Sequence, residues 1–401
     1  MTPGITESEV ETVALEILSE LDYKILYGPD IAPDGISPER KSYSDVVLVD
    51  RLRDAVNRIN PDIPGEAREE AIKKVLRSES PQLIINNQNF HKKLVEGVDI
   101  EYRKKDGSIA NDKVWLFDFK NPKNNEFLAV NQFTILENNN NRRPDIILFI
   151  NGLPLVVIEL KNPADENATI WTAFNQLETY KAQIPSLFPY NAISVISDGI
   201  EARAGTITSN KERFMPWKTI EGKEIALSAM PQLEVLFQGM FNKKILLDLI
   251  RHFIVFEQER QGIHKKLAAY HQYHAVNKAI EATLNASSPG GDKRCGVVWH
   301  TQGSGKSLTM ALYTGKLVLA LDNPTIVVLT DRNDLDDQLF GTFSRCHELL
   351  RQKPVQAASR SELKELLMVA SGGVVFTTIQ KFFPEEKGDK YPCFPKGEIS
   401  S

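Results

Sequence analysis

Residues 143–163 read RPDIILFINGLPLVVIELKNP, two apolar runs joined by Asn151-Gly152. Asn-Gly between apolar runs is the strongest short-range hairpin signal, and runs this apolar belong inside a sheet rather than along its edge. The pair therefore fixes the architecture around it. It also carries Asp145, Glu159 and Lys161. A charge buried in a sheet costs several kcal/mol unless it is paired or binds a cation, so three in one hairpin require a reason.

Alternation along the strands narrows that reason. A plain two-residue loop pairs Asp145 with Ile158 and leaves Glu159 and Lys161 on the opposite face. One extra residue, as a three-residue turn with Gly152 at positive φ or as a bulge, puts all three on one face, and that arrangement is expected here. Two carboxylates with a nearby backbone carbonyl can hold Mg2+, with Asp145 and Glu159 as ligands. The Lys161 ammonium can then orient a water for in-line attack on a phosphate. On the triplet alone a strand-end ion pair is the better explanation, and Asp118-Phe119-Lys120 is a second acid-any-lysine triplet in the chain.

The chain has 401 residues, and roughly 100–200 residues per domain divide that length into two units. Apolar periodicity predicts a first helix over about 7–21, with Val10, Val13, Leu15, Ile17, Leu18 and Leu21 on one face. A helical region over about 45–76 is broken at NPDIPGE. Strand candidates follow in VDIEYRKK, KVWLFDF and the hairpin, then a helix over 168–183 and a strand in NAISVISDG. These make an α/β domain over 1–225. A helical bridge occupies 226–260, and a second α/β domain of parallel-sheet type covers 261–401, with strands in GVVWH, TIVVLT and GGVVFTT. Within the bridge, LEVLFQG (233–239) matches a cleavage sequence used to remove purification tags, but the apolar period runs unbroken through it and Met240 stands where a proline is usual.

CGVVWHTQGSGKSLTMAL (295–312) is a strand, a glycine-rich turn and a helix. Such a turn cradles phosphates with its backbone N–H groups: Gly303, Ser304 and Gly305 form the cradle, Lys306 reaches the β and γ phosphates, and Ser307 ligates Mg2+. His300 replaces the usual first glycine. The expected ligand is ATP. Upstream, Gln272 stands where an adenine-reading glutamine often lies, although a glutamine on an amphipathic helix is also an ordinary solvent-facing residue.

Net charge is −5, which excludes a uniformly basic nucleic-acid coat but leaves room for a local basic groove. Three distant cysteines suggest neither a disulfide framework nor a zinc site. The N-terminus carries acids where a signal peptide carries bases, and no apolar run approaches the roughly 18 residues that span a bilayer. A cytoplasmic protein without membrane contact is expected.

The Pro-Asp start, apolar hairpin and Glu159-Leu-Lys161 resemble the PD-(D/E)xK nuclease pattern, and Gln176-Leu-Glu-Thr-Tyr180 resembles the QxxxY element that lies beside the metal site and contacts DNA in RecB-like nucleases. TDRNDLDDQL and FTTIQKF resemble helicase motifs Ia and Ib, which implies DNA-backbone contacts from Thr330, Arg332, Thr377 and Gln380. GLPLVVIELKNP, AFNQLETYKAQIP, LLDLIRHFIVFE and VVWHTQGSGKSLTM together resemble the restriction (R) subunit of type I restriction-modification enzymes. The resemblance implies a PD-(D/E)xK nuclease-like domain followed by a RecA-like P-loop domain. It implies an ATP-driven translocase of double-stranded DNA that works with modification and specificity subunits. Only 19 residues follow FTTIQKF, without an acidic Walker B box, a second lobe or an arginine finger, so the chain resembles an N-terminal fragment, expected to bind ATP without translocating. A DNA-repair helicase-nuclease acting on ends, or a regulatory NTPase with a structural hairpin, are the alternatives.

Overall fold

The computed structural model describes residues 6–104, 107–162, 169–331, 333–368 and 371–383, the side chains of 333–336 excepted. The chain divides into two units, Met1–Ile254 with Lys265–Tyr270, and Val255–His264 with His271–Ser401.

The first unit is built on a six-stranded mixed sheet. Its strands are β1 (Lys24–Tyr27), β2 (Phe127–Asn131), β3 (Ile146–Ile150), β4 (Leu153–Leu160), β5 (Ile193–Ser197) and β6 (Ala202–Gly205), and they stand side by side in that order. β1 runs parallel to β2 and β4 parallel to β5, while the β2–β3, β3–β4 and β5–β6 pairs are antiparallel. Chain length between strands explains the pattern. β3 and β4 are two residues apart and can only form a hairpin, whereas β4 and β5 are bridged by a helix and can lie parallel. Helix α1 (Glu7–Glu20) precedes the sheet and helix α2 (Ile170–Gln183) makes the β4–β5 crossover.

The predicted hairpin forms the sheet's centre. Every residue of β3 and β4 is buried, and each large aliphatic side chain so enclosed contributes roughly 1.5–3 kcal/mol. The turn is the plain two-residue one: Asn151 and Gly152 have φ of 51° and 80°, the pairing that matches the twist of adjoining strands. The extra residue sits instead in β4. Ile150 pairs with Leu153 and Phe149 with Pro154, but Leu148 pairs with Val156, so Leu155 is a bulge. Pro154 stands beside it, where a residue without an N–H is tolerated inside a sheet. Of the two expected devices the bulge is the one used.

Helices Gln232–Met240 and Lys243–His252 count with the first unit instead of forming a separate bridge. The reason is burial: Leu233, Leu236, Phe237, Phe241 and Leu246 are enclosed, and the Tyr23 hydroxyl donates to Phe241 O at 2.9 Å. LEVLFQG lies inside the first of them. A helix at Leu83–Glu96 has no counterpart in the sequence reading.

In the second unit three parallel strands, β7 (Ile326–Thr330), β8 (Val355–Gln356) and β9 (Val374–Thr378), stand in the order β7-β9-β8. Helices α3 (Tyr270–Ser287), α4 (Lys306–Ala320) and α5 (Asn333–Arg345) accompany them, and Ala311, Val328, Leu339, Phe343 and Phe376 share one core. The strand expected in GVVWH is not formed. Residues 296–300 lie outside the three-stranded ladder, and Val297 and Trp299 are about nine-tenths exposed because no layer covers them. Among the described residues no helix is long and apolar enough to cross a membrane.

Gly152 gives a direct test of the turn. A Cβ there would lie 2.4 Å from Leu48 O and 2.9 Å from Leu52 N, at a φ that side chains disfavour. Gly152→Ala is expected to destabilise the chain by more than about 2 kcal/mol in urea unfolding. Gly107→Ala, also at positive φ but facing open space, should cost only about 1 kcal/mol. Equal costs would contradict the close approach.

Candidate active site and phosphate loop

The bulge decides which side chains meet. Continuing the Ile146–Ile158 register by one residue sets Asp145 opposite Glu159, on the same face as Lys161. Without Leu155 the opposing residue would be Ile158. Asp145 is held at both ends: its backbone O accepts from Gln132 N at 3.0 Å, and its Oδ2 accepts from Leu160 N at 2.7 Å. Glu159 is 2% exposed. Its Oε1 accepts from Lys161 Nζ at 2.8 Å and its Oε2 from the Tyr180 hydroxyl at 3.1 Å. Lys161 Nζ donates also to Leu160 O at 2.8 Å and to Glu7 Oε1 at 3.1 Å.

α2 therefore delivers Tyr180 to the hairpin. Gln176 lies one turn earlier on the same face of the helix. Of the five residues expected from the two sequence elements, Glu159, Lys161 and Tyr180 are joined by hydrogen bonds, Asp145 faces Glu159, and Gln176 lies one helical turn before Tyr180. The second triplet does not join them: Asp118 Oδ1 accepts from Lys120 N at 3.0 Å and Asn121 N at 2.8 Å, which makes it a local turn cap.

From sequence alone a third acid could come from the first helix, at Glu9 or Glu16; the structure brings other acids of α1 to the site. Glu7 touches Lys161, and Glu11 accepts from Asn131 Nδ2 and Gln132 Nε2, both at 2.7 Å. Glu9 instead closes a capping box with Thr6, and Glu16 is exposed. Spacing of four residues, which puts Glu7 and Glu11 on one side of the helix, is the signal that separates them from Glu9.

Burial governs the electrostatics. It pushes the Glu159 carboxyl up to about 8, reinforced by the neighbouring Asp145 charge and opposed by Lys161. Burial likewise raises Asp145 to about 6, against the Leu160 N–H and Lys161. Burial alone would lower the Lys161 ammonium, but Glu159, Asp145 and Glu7 outweigh it and hold it above its usual value. The Tyr180 hydroxyl is raised by burial and by Glu159. Near neutral pH the two carboxyls thus behave as a coupled pair that retains a proton. The donor set is all oxygen, as a hard divalent cation requires, and such a cation would take the place of that proton. Among the described residues no group of three or more His, Cys, Asp or Glu side chains converges as a metal cluster, so these two carboxylates would be completed by backbone oxygen and water.

In the second unit Gly303 and Gly305 have φ of 80° and 81°, and Gly305 begins α4 from the left-handed region. Lys306 Nζ donates to His300 O at 3.2 Å and Thr301 O at 3.0 Å, and the Ser304 hydroxyl to Thr301 O at 2.8 Å. Ser307 lies in the first turn of α4. Gln272 is buried and donates to Gly305 O and Thr309 Oγ1, both at 3.2 Å, so it braces the loop's backbone. Thr330 and Thr378 pair across the ends of β7 and β9, and Gln380 Nε2 donates to Asp331 O at 3.2 Å. Thr377 is fully buried because β9 is covered on both faces, so its side chain is closed to a DNA phosphate. Arg332 lies outside the described residues.

The raised carboxyls set a pH dependence. Between an ordinary glutamate value and about 8, the unfolded chain ionises Glu159 while the folded chain keeps it protonated, so this group's contribution to stability falls as pH rises. Glu159→Gln is expected to raise the urea midpoint relative to the parent at pH 8.5 or so, with the gain shrinking toward about pH 4.5. A gain of constant size across that window would contradict the shift.

Comparison with known proteins gives the family. Residues 4–213 match the family described as type I restriction enzyme R protein N terminus, and residues 271–399 match the SWI2/SNF2 ATPase family. The type I restriction enzyme HindI endonuclease subunit of Haemophilus influenzae is 45% identical over 395 residues, covering 97% of this chain and 37% of the relative. A provisionally named type I restriction enzyme MjaIXP endonuclease subunit of Methanocaldococcus jannaschii is 35% identical over 407 residues, 96% of this chain and 38% of the relative. The chain spans under two-fifths of the length of these relatives. With more than half of its residues inside the first match, the chain belongs to the type I restriction enzyme R protein family.

Proposed function

We propose that this chain carries the DNA-cutting centre and the ATP-binding loop of a type I restriction endonuclease subunit. On this reading the first unit is a PD-(D/E)xK nuclease and the second a RecA-like lobe. One observation carries the reading. Lys161 of the hairpin and Tyr180 of α2, on elements separate in sequence, both donate to the buried Glu159 carboxylate, with Asp145 opposite it in register.

Asp145 and Glu159 would hold Mg2+, which supplies Lewis-acid polarisation of a phosphate oxygen and a water activated near neutral pH. The chain's own groups do the rest. Lys161 presents its ammonium where negative charge gathers as water adds to phosphorus and the P–O bond to the leaving sugar oxygen breaks. Tyr180 fixes Glu159 through its second oxygen, beside Gln176 one helical turn earlier. Such bracing keeps the carboxylate in one orientation, which is what positional precision at a reacting centre demands. In the second unit, Gly303, Ser304, Gly305, Lys306 and Ser307 would receive the phosphates of ATP with its Mg2+, on a loop backed by Gln272. Thr330 and Gln380 stand at the strand ends where a DNA backbone would pass.

The substrate is double-stranded DNA, the partners are modification and specificity subunits, and the site of action is the cytoplasm. The names of the relatives support this reading over a repair enzyme that digests from ends.

In the subunit assembled with those partners, on unmethylated circular DNA with ATP and Mg2+, Lys161→Ala should abolish cleavage by a hundredfold or more, roughly, while ATP hydrolysis continues. Lys306→Ala should lose both. Cleavage at the parent rate by the Lys161 variant would put the scissile centre elsewhere.

A further inference from the structure

Helix α1 brings to the proposed nuclease centre a carboxylate that neither the hairpin nor α2 supplies. Lys161 Nζ lies between two acids, Glu159 at 2.8 Å and Glu7 at 3.1 Å. The two differ in setting: the Glu159 side chain is 3% exposed and that of Glu7 is 48% exposed. The ammonium is thus held from the buried side by Glu159 and from the solvent side by Glu7. We propose that Glu7 is the positioning residue for Lys161, drawing its ammonium toward the solvent side of the cluster, from which a phosphodiester would approach. This rests on the nuclease reading above.

The helix is fixed well enough to aim that carboxylate. Thr6 and Glu9 close the capping box that sets where α1 begins. Glu11, one turn beyond Glu7, is fastened to the end of β2 through the side chains of Asn131 and Gln132. Gln132 N donates in turn to Asp145 O at 3.0 Å. Glu7 is therefore tied, by one helical turn and one strand end, to the same backbone that carries Asp145. Without Glu7 the remaining partners of Lys161 are Glu159 and Leu160 O, both on the inner side, and the ammonium settles inward, away from substrate. A half-exposed pair of this kind contributes little to folding, so its effect falls on rate. Glu7 also repels an incoming phosphate, so its loss does not weaken DNA binding.

The test uses single-turnover cleavage of circular DNA by the assembled enzyme. Glu7→Gln should slow cleavage by about tenfold without raising the half-saturating DNA concentration, and should slow it no further in a Lys161→Gln background, because the two act as one unit. Glu16→Gln, an exposed acid of the same helix, should cut at the parent rate. Three results overturn the proposal: parent-rate cleavage by Glu7→Gln while Lys161→Ala is dead, additive losses in the double variant, or equal losses with Glu16→Gln. Parent-rate cleavage by both Glu7→Gln and Lys161→Ala would remove the nuclease reading itself.

Discussion

One inserted residue organises the first unit. Leu155 shifts the pairing of β3 and β4 so that Asp145 faces Glu159 instead of Ile158. Everything charged at the sheet's centre depends on that step. Two carboxyls and an ammonium enclosed in a sheet are tolerable only when each oxygen and each N–H finds a partner. Here the Leu160 N–H meets one Asp145 oxygen, Lys161 and the Tyr180 hydroxyl meet the two Glu159 oxygens, and Glu7 meets the ammonium from outside. The apolar strands around the cluster supply the rigidity. The cluster uses it to hold two acids near the threshold of ionisation, a state that exposed carboxylates do not reach.

Much of this was legible in the sequence because several local signals agreed. Asn151-Gly152 fixed the hairpin, the apolar runs fixed its burial, and the three charges demanded an extra residue. Pro154 could have located it, since a proline inside a central strand is tolerated at a bulge. Other features are tertiary and left no local mark. Helix Leu83–Glu96 contains three weak helix formers, Asn86, Asn87 and Asn89, and has no side-chain cap. Part of its support comes from Asn87, which is buried and donates to Phe188 O, Pro189 O and Asn191 O. Which acid of α1 meets Lys161 depends on how that helix seats against β2, and alternation of acids along it does not reveal the seating.

The second unit shows the converse. Two turn positions were readable from the sequence, because Gly303 and Gly305 adopt the positive φ that their residue type suggests. GVVWH has strand composition yet lies outside the ladder, so composition there predicted a preference that packing does not satisfy. Gln272, picked from the sequence by its place before the loop, donates to Gly305 O and Thr309 Oγ1 and so backs that loop. Motif matching identifies the residue, and only the fold shows which way it faces.

The account turns on whether Asp145 and Glu159 act as one cation-receiving pair. The most direct measurement is calorimetric titration of the chain with Mg2+ at pH 7 in two buffers of different ionisation enthalpy, beside Asp145→Asn. Because Glu159 is held up to about 8, Mg2+ binding should release about one proton per ion, and both the binding and the release should vanish in the variant. Binding without proton release, or binding equal in parent and variant, would contradict the assignment of these carboxylates as the cation site.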